Sequence, residues 1–143
     1  MTIEQLSVFV ENKHGKLVEA VETIAKADVD LRALSLADTT DFGILRIIVD
    51  KPVKAMNALQ EEGFLVRTSE VIPISVSDKP GALAKALRVL ADAGVNVEYT
   101  YAFVAHSNSD AYVILRVDDN TAAAKALTDG GITLLTSDDI QKM

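Results

Sequence analysis

The chain has 143 residues and a formal net charge of −7, with 49% hydrophobic residues; this predicts a packed core, and the acidic balance excludes nucleic acid as an expected partner. The absence of cysteine excludes disulfides, thiolate metal sites and cysteine nucleophiles. The N-terminus has no basic segment followed by an apolar run, and no apolar stretch approaches the ~20 residues that span a bilayer, so we expect a cytoplasmic protein without membrane contact.

Apolar residues change their spacing along the first half of the chain. Leu6, Val8 and Val10 occupy every second position, which is the period of a half-buried strand, and the next apolar residues follow the helical spacing of three and four. Pro52 favours the first turn of a second helix. In chain order the predicted elements are a strand over 6–10, a helix over 17–24, strands over 29–37 and 44–50, a helix over 52–63 and a strand over 64–71.

The second half of the chain repeats the first. Segment 12–17, Asn-Lys-His-Gly-Lys-Leu, corresponds to segment 78–83, Asp-Lys-Pro-Gly-Ala-Leu, at a distance of 66 positions that becomes 68 downstream. The two extra residues fall in the polar run 106–110, and an insertion into a loop costs little free energy. The repeat therefore predicts a second-copy helix around the alanine run 122–124 and a last strand over 132–137.

The duplicated order of strands and helices predicts two small α+β units, 1–71 and 72–143. Each is expected to be a ferredoxin-like βαββαβ unit, an antiparallel sheet with both helices on one face. Asp28 and Gly94 mark the end of the first helix of each copy at equivalent positions, and Gly94 suits a left-handed C-terminal cap. Because this fold hosts many unrelated activities, the function must be inferred from a site.

Two short motifs in the second copy carry a family resemblance. Segment 78–83 reads Asp-Lys-Pro-Gly-Ala-Leu before the helix, and segment 94–97 reads Gly-Val-Asn-Val before the next strand. Together with the element order and the duplication, these motifs make the whole chain resemble a tandem pair of ACT domains. The resemblance implies a stand-alone, non-catalytic regulatory module. Such a module binds a free amino acid where ACT copies meet, forms a homodimer and acts on a regulated protein partner.

A glycine at the start of both first helices suits recognition of a zwitterion. Gly15 and Gly81 permit a tight turn that brings backbone N–H groups close to a ligand, and a helix N-terminus favours an anion such as an α-carboxylate. Side-chain oxygens in the same motifs can accept hydrogen bonds from an α-ammonium group. The expected ligand-binding residues are Asn12, Lys13, His14, Gly15, Lys16, Leu17, Asp30, Leu31, Asp78, Lys79, Pro80, Gly81, Ala82, Leu83, Asn96 and Val97.

A purely structural explanation of these motifs stays open at this point. Asp78 could cap the helix, and Pro80 and Gly81 could serve only the turn. Asn96 could be a strand-entry residue and no more.

The two copies also differ at the expected ligand-binding positions. Asn12 stands with Asp30 in the first copy, and Asp78 stands with Asn96 in the second. Pairing across copies, as the resemblance implies, would place Asn12 with Asn96 and Asp78 with Asp30. Because two close carboxylates are costly without a cation, we hypothesise two unequal sites, one near-neutral and one that prefers a strong ammonium group or a cation.

Two other functional classes are alternatives to an amino-acid sensor. One is an ACT-fold protein-interaction or structural protein without ligand binding, and the other is a small enzyme. No nucleophile–base pair, paired carboxylates or phosphate loop can be recognised, so an enzyme is the least expected. His14 and His106 are the only histidines, and without cysteine they predict neither a metal site nor a cofactor.

Overall fold

The chain divides into two compact units in the computed structural model, which describes residues 2–38, 41–104 and 109–143. The first unit comprises Glu4–Ser69, and the second comprises Glu70–Met143 together with the first residues of the chain. A single strand runs continuously across position 71. The exact boundary that the repeat suggests therefore stays a prediction.

The first unit has the predicted order of strands and helices. Its elements are β1 (Ile3–Glu11), α1 (Lys16–Lys26), β2 (Leu31–Asp38), β3 (Phe42–Val49), α2 (Pro52–Glu61) and β4 (Leu65–Ser77). The sheet runs β2-β3-β1, with β4 beside β1. The pairing of β3 with β1 and β2 is antiparallel, and Glu11 lies opposite Phe42 while Leu31 lies opposite Val49. The end of β1 is therefore beside the start of β3 and the end of β2.

The second unit repeats this arrangement and confirms the α+β fold class. Its elements after β4 are α3 (Ala82–Asp92), β5 (Val97–Ala102), β6 (Asp110–Val117), α4 (Asn120–Asp129), β7 (Thr133–Leu134) and α5 (Ser137–Gln141). The later part of β4 pairs with β6 on one side and β7 on the other, and β5 pairs with β6, all antiparallel. None of the helices in the described ranges has the length and apolar character that crossing a bilayer requires.

Each unit has its own apolar core between the helices and one face of the sheet. Ile24 and Leu59 from the two helices of the first unit are almost fully buried in one core, and Leu90 and Leu127 occupy the same positions in the other. Burying one such side chain stabilises the fold by about 1.5–3 kcal/mol. The apolar spacing in the sequence therefore selects the faces that pack.

The predicted helix ends are confirmed at the backbone. Asp28 has φ of 58° and Gly94 has φ of 74°, so both are left-handed residues directly behind the first helix of their copy. A left-handed residue at this position directs the chain away from the helix axis and into the next strand. Asparagine and aspartate tolerate this conformation better than other non-glycine residues, which is why Asp28 can replace glycine here.

The predicted last strand over 132–137 is wrong. β7 covers only Thr133–Leu134, and Ser137 begins the short helix α5. Thr136 accepts a hydrogen bond from the amide of Asp139 at 3.1 Å, and the Asp139 carboxylate accepts from the amide of Thr136 at 2.8 Å. This reciprocal capping box starts a helix where the equivalent segment of the first copy continues as strand.

The two strands predicted on either side of the repeat boundary are one continuous element. β4 runs over 13 residues without a turn. It supplies the last strand of the first copy and the first strand of the second.

Candidate functional site

The turns that precede α1 and α3 have the same construction. Gly15 has φ of 80° and Gly81 has φ of 90°, and each is the residue before the helix. The amide of Lys16 donates to the Lys13 carbonyl at 3.3 Å, and the amide of Ala82 donates to the carbonyl three residues earlier at 3.2 Å. The backbone geometry of this loop is therefore duplicated together with the sequence.

Neither helix start is closed by a side chain. No side-chain hydrogen bond caps α1 or α3, because the N-cap residue of each helix is glycine. The first bonds inside the helices begin when Glu19 donates to Gly15 and Lys85 donates to Gly81, both at 3.0 Å. Within the described ranges, the amides of Leu17 and Val18 in α1, and those of Leu83 and Ala84 in α3, form no hydrogen bond. Free N–H groups at a helix N-terminus attract anions.

Space above both turns is open. A Cβ atom added to Gly15 or Gly81 would have no atom within 4 Å. Glycine is therefore needed at these positions for its positive φ and not for close packing. The open space leaves the free amides accessible to a small ligand.

Ion pairs neutralise part of the first loop. Lys13 Nζ lies 3.0 Å from Glu11 Oε2, and Lys16 Nζ lies 3.4 Å from Glu19 Oε2. The hydrogen bond and the positive charge of Lys13 hold the pKa of Glu11 below its usual value. Asn12 and His14 are exposed beside these pairs. An incoming ligand meets a loop whose lysines are already paired with acids.

The second loop is more open. Asp78, Lys79 and Pro80 are exposed, whereas Ala82 is half-buried. The amide of Asp78 donates to the Ser109 carbonyl at 2.9 Å, which attaches the loop to the start of β6. Leu83 exposes 37% of its surface, nearly the same as Leu17 with 38%.

Asp30 and Asn96 lie at the opposite end of their own sheet from these loops. The amide of Asp30 donates to Asp50 Oδ1 at 2.9 Å, and Asp50 directly follows the last residue of β3. The amide of Asn12 donates to the carbonyl of Asp41, which directly precedes the first residue of β3. A strand rises about 3.4 Å per residue, so roughly 20 Å or more separates the two ends. Asn96, bonded to Asp118 Oδ1 at 3.0 Å, repeats the arrangement in the second unit.

The structure therefore does not bring the loop of a unit together with Asp30 or Asn96 of the same unit. Leu31 and Val97 begin β2 and β5 at that same distant end. A site that uses both sets would need residues from more than one copy, and this part of the expected site stays a prediction.

Asp30 already has a cationic partner. Nη1 of Arg32 donates to Asp30 Oδ2, and the Arg32 side chain is only 11% exposed. The positive charge of Arg32 reduces the repulsion on which the hypothesis of a doubly acidic second site depends. In the second copy, Glu98 stands where the first has Arg32, so this compensation is specific to the first copy.

A small cavity of about 200 Å³ adjoins the first loop. Three of the expected residues, Asn12, Lys13 and Leu17, line it, but five others were not found from the sequence. The antiparallel order of β1, β3 and β2 is the signal that could have found them, because it places the end of β2 and the start of β3 beside the loop. The additional lining residues are Val10, Glu11, Leu36, Asp38 and Gly43.

On the other flank of α1, an acidic groove of about 400 Å³ separates α1 from α2. Lys26 is the one basic residue among those that line it. The acids in the groove are Glu19, Glu22, Glu61 and Glu62. An ion pair between one of these exposed acids and a basic ligand contributes only about 0–1 kcal/mol. The burial of an apolar ligand side chain contributes more.

The second unit has a more polar cavity of about 320 Å³ beside β4 and β7. Ala82 is the expected site residue that lines it, together with Lys85 and Asp110 of opposite charge. Its other walls are Ser75, Val76, Ser77, Gly131, Ile132 and Thr133.

Among the described residues, no three His, Asp or Glu side chains cluster in a way that could hold a metal ion. His14 is exposed in the first loop. His106 lies outside the described residues.

Comparisons with known proteins agree with this construction. The model of a family described as an ACT domain pair matches residues 1–143. A crystal structure of protein BT0572 from Bacteroides thetaiotaomicron is 41% identical, with a TM-score of 0.93 over 100% of this chain and 98% of that chain. No curated protein matches the sequence significantly.

Two more distant structures share the fold. The ligand-free regulatory subunit of aspartate kinase from Thermus thermophilus is 18% identical, with a TM-score of 0.66 over 89% of this chain and 91% of that one. The corresponding subunit from Thermus flavus is 16% identical, with a TM-score of 0.61 over 90% and 92% of the two chains.

Proposed function

The chain belongs to the ACT domain pair family, and we propose that it is a regulatory protein that binds a free amino acid at an interface between ACT units and catalyses no reaction itself. The proposal includes a homodimer as the working assembly and a cytoplasmic location. It rests on the membership of the family and on the construction of the two loops.

The observation that carries the proposal is the pair of helix starts at Gly15 and Gly81, which have the same backbone and no side-chain cap. Ser, Thr, Asp and Asn at the N-cap satisfy a helix-start amide with a side-chain oxygen, whereas glycine has no side chain that could do so. Asp119 caps α4 of this same chain in that way. The duplicated glycine starts leave free amides for an α-carboxylate instead.

The α-ammonium group of the ligand requires acceptors near the carboxylate. Asn12 and Asp78 provide side-chain oxygens on the exposed part of each loop, and oxygens of this kind accept hydrogen bonds from an ammonium group. We propose that Asp30 and Asn96 add acceptors from a neighbouring ACT copy. Both poles of a zwitterion are then satisfied, which distinguishes an amino acid from a simple acid or amine.

The output is a change in assembly or in the interaction with a regulated protein. A ligand can shift such an equilibrium only through its differential affinity for the two states. Regulatory subunits of aspartate kinase share the fold, and an enzyme with a separate regulatory part is the kind of partner that we propose.

A thermal-shift screen against the twenty amino acids tests this function. At a ligand concentration of about 100 times the Kd, binding stabilises the folded protein by roughly 2.7 kcal/mol. For a chain of this size this raises the Tm by about 5–10 °C. We expect one amino acid, or a few related ones, to produce a shift of this order.

Analogues of the best ligand provide the matched controls. The corresponding amine lacks the carboxylate, and the corresponding deaminated acid lacks the ammonium group. We expect neither to stabilise the protein. A screen in which no amino acid raises the Tm would refute the proposal and leave an ACT-fold interaction protein as the function.

A further inference from the structure

The cavity beside the first loop has walls that suit an apolar group. Val10 is almost fully buried, whereas Leu17 and Leu36 expose 38% and 49% of their surface at the opening. Covering exposed apolar surface is favourable. At about 200 Å³, the cavity is smaller than the roughly 300–1,000 Å³ of pockets that enclose a drug-sized molecule. It therefore fits a single side chain.

A glycine borders this space and lets the Leu36 side chain lie close to the neighbouring strand. Gly43 lies opposite Val10 in the sheet, and a Cβ at this position would lie 3.0 Å from Leu36 Cδ1. The φ of Gly43 is not positive, so the backbone does not require glycine here. In the second unit, Ala111 lies opposite Val76 at the equivalent point. The cavity thus depends on a residue that differs between the copies.

The charged groups at the opening do not favour a charged side chain inside it. Glu11 and Lys13 neutralise each other at 3.0 Å. Asp38 is exposed at the rim, where it can accept a hydrogen bond from the α-ammonium group of a ligand. The apolar part of the lining consists of Val10, Leu17 and Leu36.

Leu17 connects the cavity to the proposed carboxylate position. Its side chain lines the cavity, and its amide is one of those at the start of α1 that form no hydrogen bond within the described ranges. A ligand whose carboxylate binds these amides therefore has its side chain within reach of the cavity.

We infer that this cavity receives the side chain of the ligand, so the protein selects an amino acid with an apolar side chain. The inference rests on the proposed function and adds the class of ligand to it. The competing position for the side chain is the acidic groove between α1 and α2, which would select lysine or arginine. That groove has four exposed acids, and solvent and salt screen their charges.

Titration calorimetry with L-leucine, L-isoleucine, L-valine, L-phenylalanine, L-lysine, L-arginine, L-serine and L-aspartate tests the inference on the full chain. We expect the best of the four apolar amino acids to bind at least about 10-fold more tightly than lysine, arginine, serine or aspartate. The gain or loss of one apolar group changes recognition by roughly 10–200-fold.

Leu36→Ser and Gly43→Ala are the diagnostic variants, and Leu34→Ser is the matched control. Leu34 lies on the same strand, exposes a similar 40% of its surface and does not line the cavity. We expect Leu36→Ser to weaken binding of the preferred amino acid by roughly 10-fold and Leu34→Ser to change it by less than about twofold. Gly43→Ala should weaken large side chains more than small ones.

The outcomes separate this inference from the proposed function. If lysine, arginine or a polar amino acid binds best, the protein is a sensor but the inference is overturned. Equal losses in Leu36→Ser and Leu34→Ser would also overturn it. If no amino acid binds at all, the proposed function itself fails, and the inference fails with it. A circular dichroism spectrum and Tm for each variant exclude misfolding as the cause of a loss.

Discussion

The two helix starts share their backbone but differ in the side chains around them. Both begin with a left-handed glycine and free amides. In the first unit, Gly43 and Leu36 border an apolar cavity, whereas Ala111 and Ala102 occupy the equivalent positions in the second. Duplication has therefore preserved the helix starts that we propose bind the common atoms of an amino acid, and it has varied the residues that we infer face its side chain.

The contact between the two main helices of each unit also differs between the copies. In the second unit, Gly130 fits directly against Val89, where an added Cβ would lie 3.0 Å from a methyl group. At the equivalent positions the first unit has Thr23 and Glu62, and both line the acidic groove between α1 and α2. The close glycine contact of the second unit therefore has no counterpart in the first, where the groove lies. The comparison of the copies leads to four predictions on stability, each of which tests one equivalence or one difference.

The largest effect is expected in the cores, where the copies are equivalent. Leu59 and Leu127 are both fully buried at matching positions of α2 and α4. We expect Leu59→Ala and Leu127→Ala each to lower the free energy of unfolding by about 2–5 kcal/mol, measured by urea denaturation. Val53→Ala, at a position that is 65% exposed, is the control and should change it by less than about 0.5 kcal/mol. A cost below about 1 kcal/mol at only one leucine would contradict the equivalence.

The next effect concerns the helix contact that only the second unit has. Gly130→Ala should destabilise the protein by about 1–3 kcal/mol, because the methyl group meets Val89 and the Ala126 carbonyl at 3.0 and 3.2 Å. Adding Val89→Ala should recover part of the loss in a double-mutant cycle. Glu62→Ala, at the equivalent exposed position, should have almost no effect. If Gly130→Ala is neutral, the close contact is not a constraint.

A smaller difference is expected at the second helices. The Asp119 side chain accepts from the Ala122 amide at 3.0 Å and caps α4, whereas Lys51 precedes α2 without a side-chain cap. Asp119→Ala should therefore cost about 0.5–2 kcal/mol, and Lys51→Ala should cost clearly less. Thermal unfolding of the two variants measures the difference. An Asp119→Ala variant that is as stable as the unmodified protein would show that the cap contributes nothing.

The smallest effect is a pH dependence at α5. Hydrogen bonds from the backbone and the hydroxyl of Thr136 hold the pKa of Asp139 below its usual value. A lowered pKa in the folded state means that this carboxylate stabilises the fold above its ordinary pKa of about 3.9 and loses that effect as the pH falls through the lowered value.

We therefore expect the stability difference between the unmodified protein and Asp139→Asn to be constant between pH 7 and 5 and to shrink below about pH 4. Urea midpoints across this range give the measurement. Thr68→Ala, at the position equivalent to Thr136 in the first copy, should show no such change, because Val71 stands where the second copy has Asp139. A difference that is independent of pH would contradict the assignment.

The helices and both glycine turns could be predicted because their signals are local in the sequence. Apolar spacing defines Lys16–Lys26 and Ala82–Asp92, and the glycine in each copy precedes the helix directly. The predicted strand over 132–137 is wrong because the repeat specifies the order of elements but not the local sequence that ends each of them. Thr136 and Asp139 form a capping box, a local signal that the repeat-based assignment did not use.

The cavity could not be predicted because it depends on strand register. Leu36 and Gly43 are close only because β2 and β3 pair with Asp38 opposite Gly43. Asp30 belongs to a motif that both copies share, yet the length of α1 and of β3 separates it from the loop of its own unit. A motif in the sequence does not specify which end of a sheet its residues occupy.

The most direct test of the account is a titration of the ¹⁵N-labelled protein with its preferred amino acid, followed by amide chemical shifts. We expect the largest shifts at the amides of Leu17 and Val18, with Leu83 and Ala84 as the equivalent pair in the second unit. The carboxamide of the same amino acid, which lacks the negative charge, should leave these amides unchanged. Shifts concentrated at Lys85, Asp110 and Thr133, with the helix-start amides unaffected, would contradict the central claim.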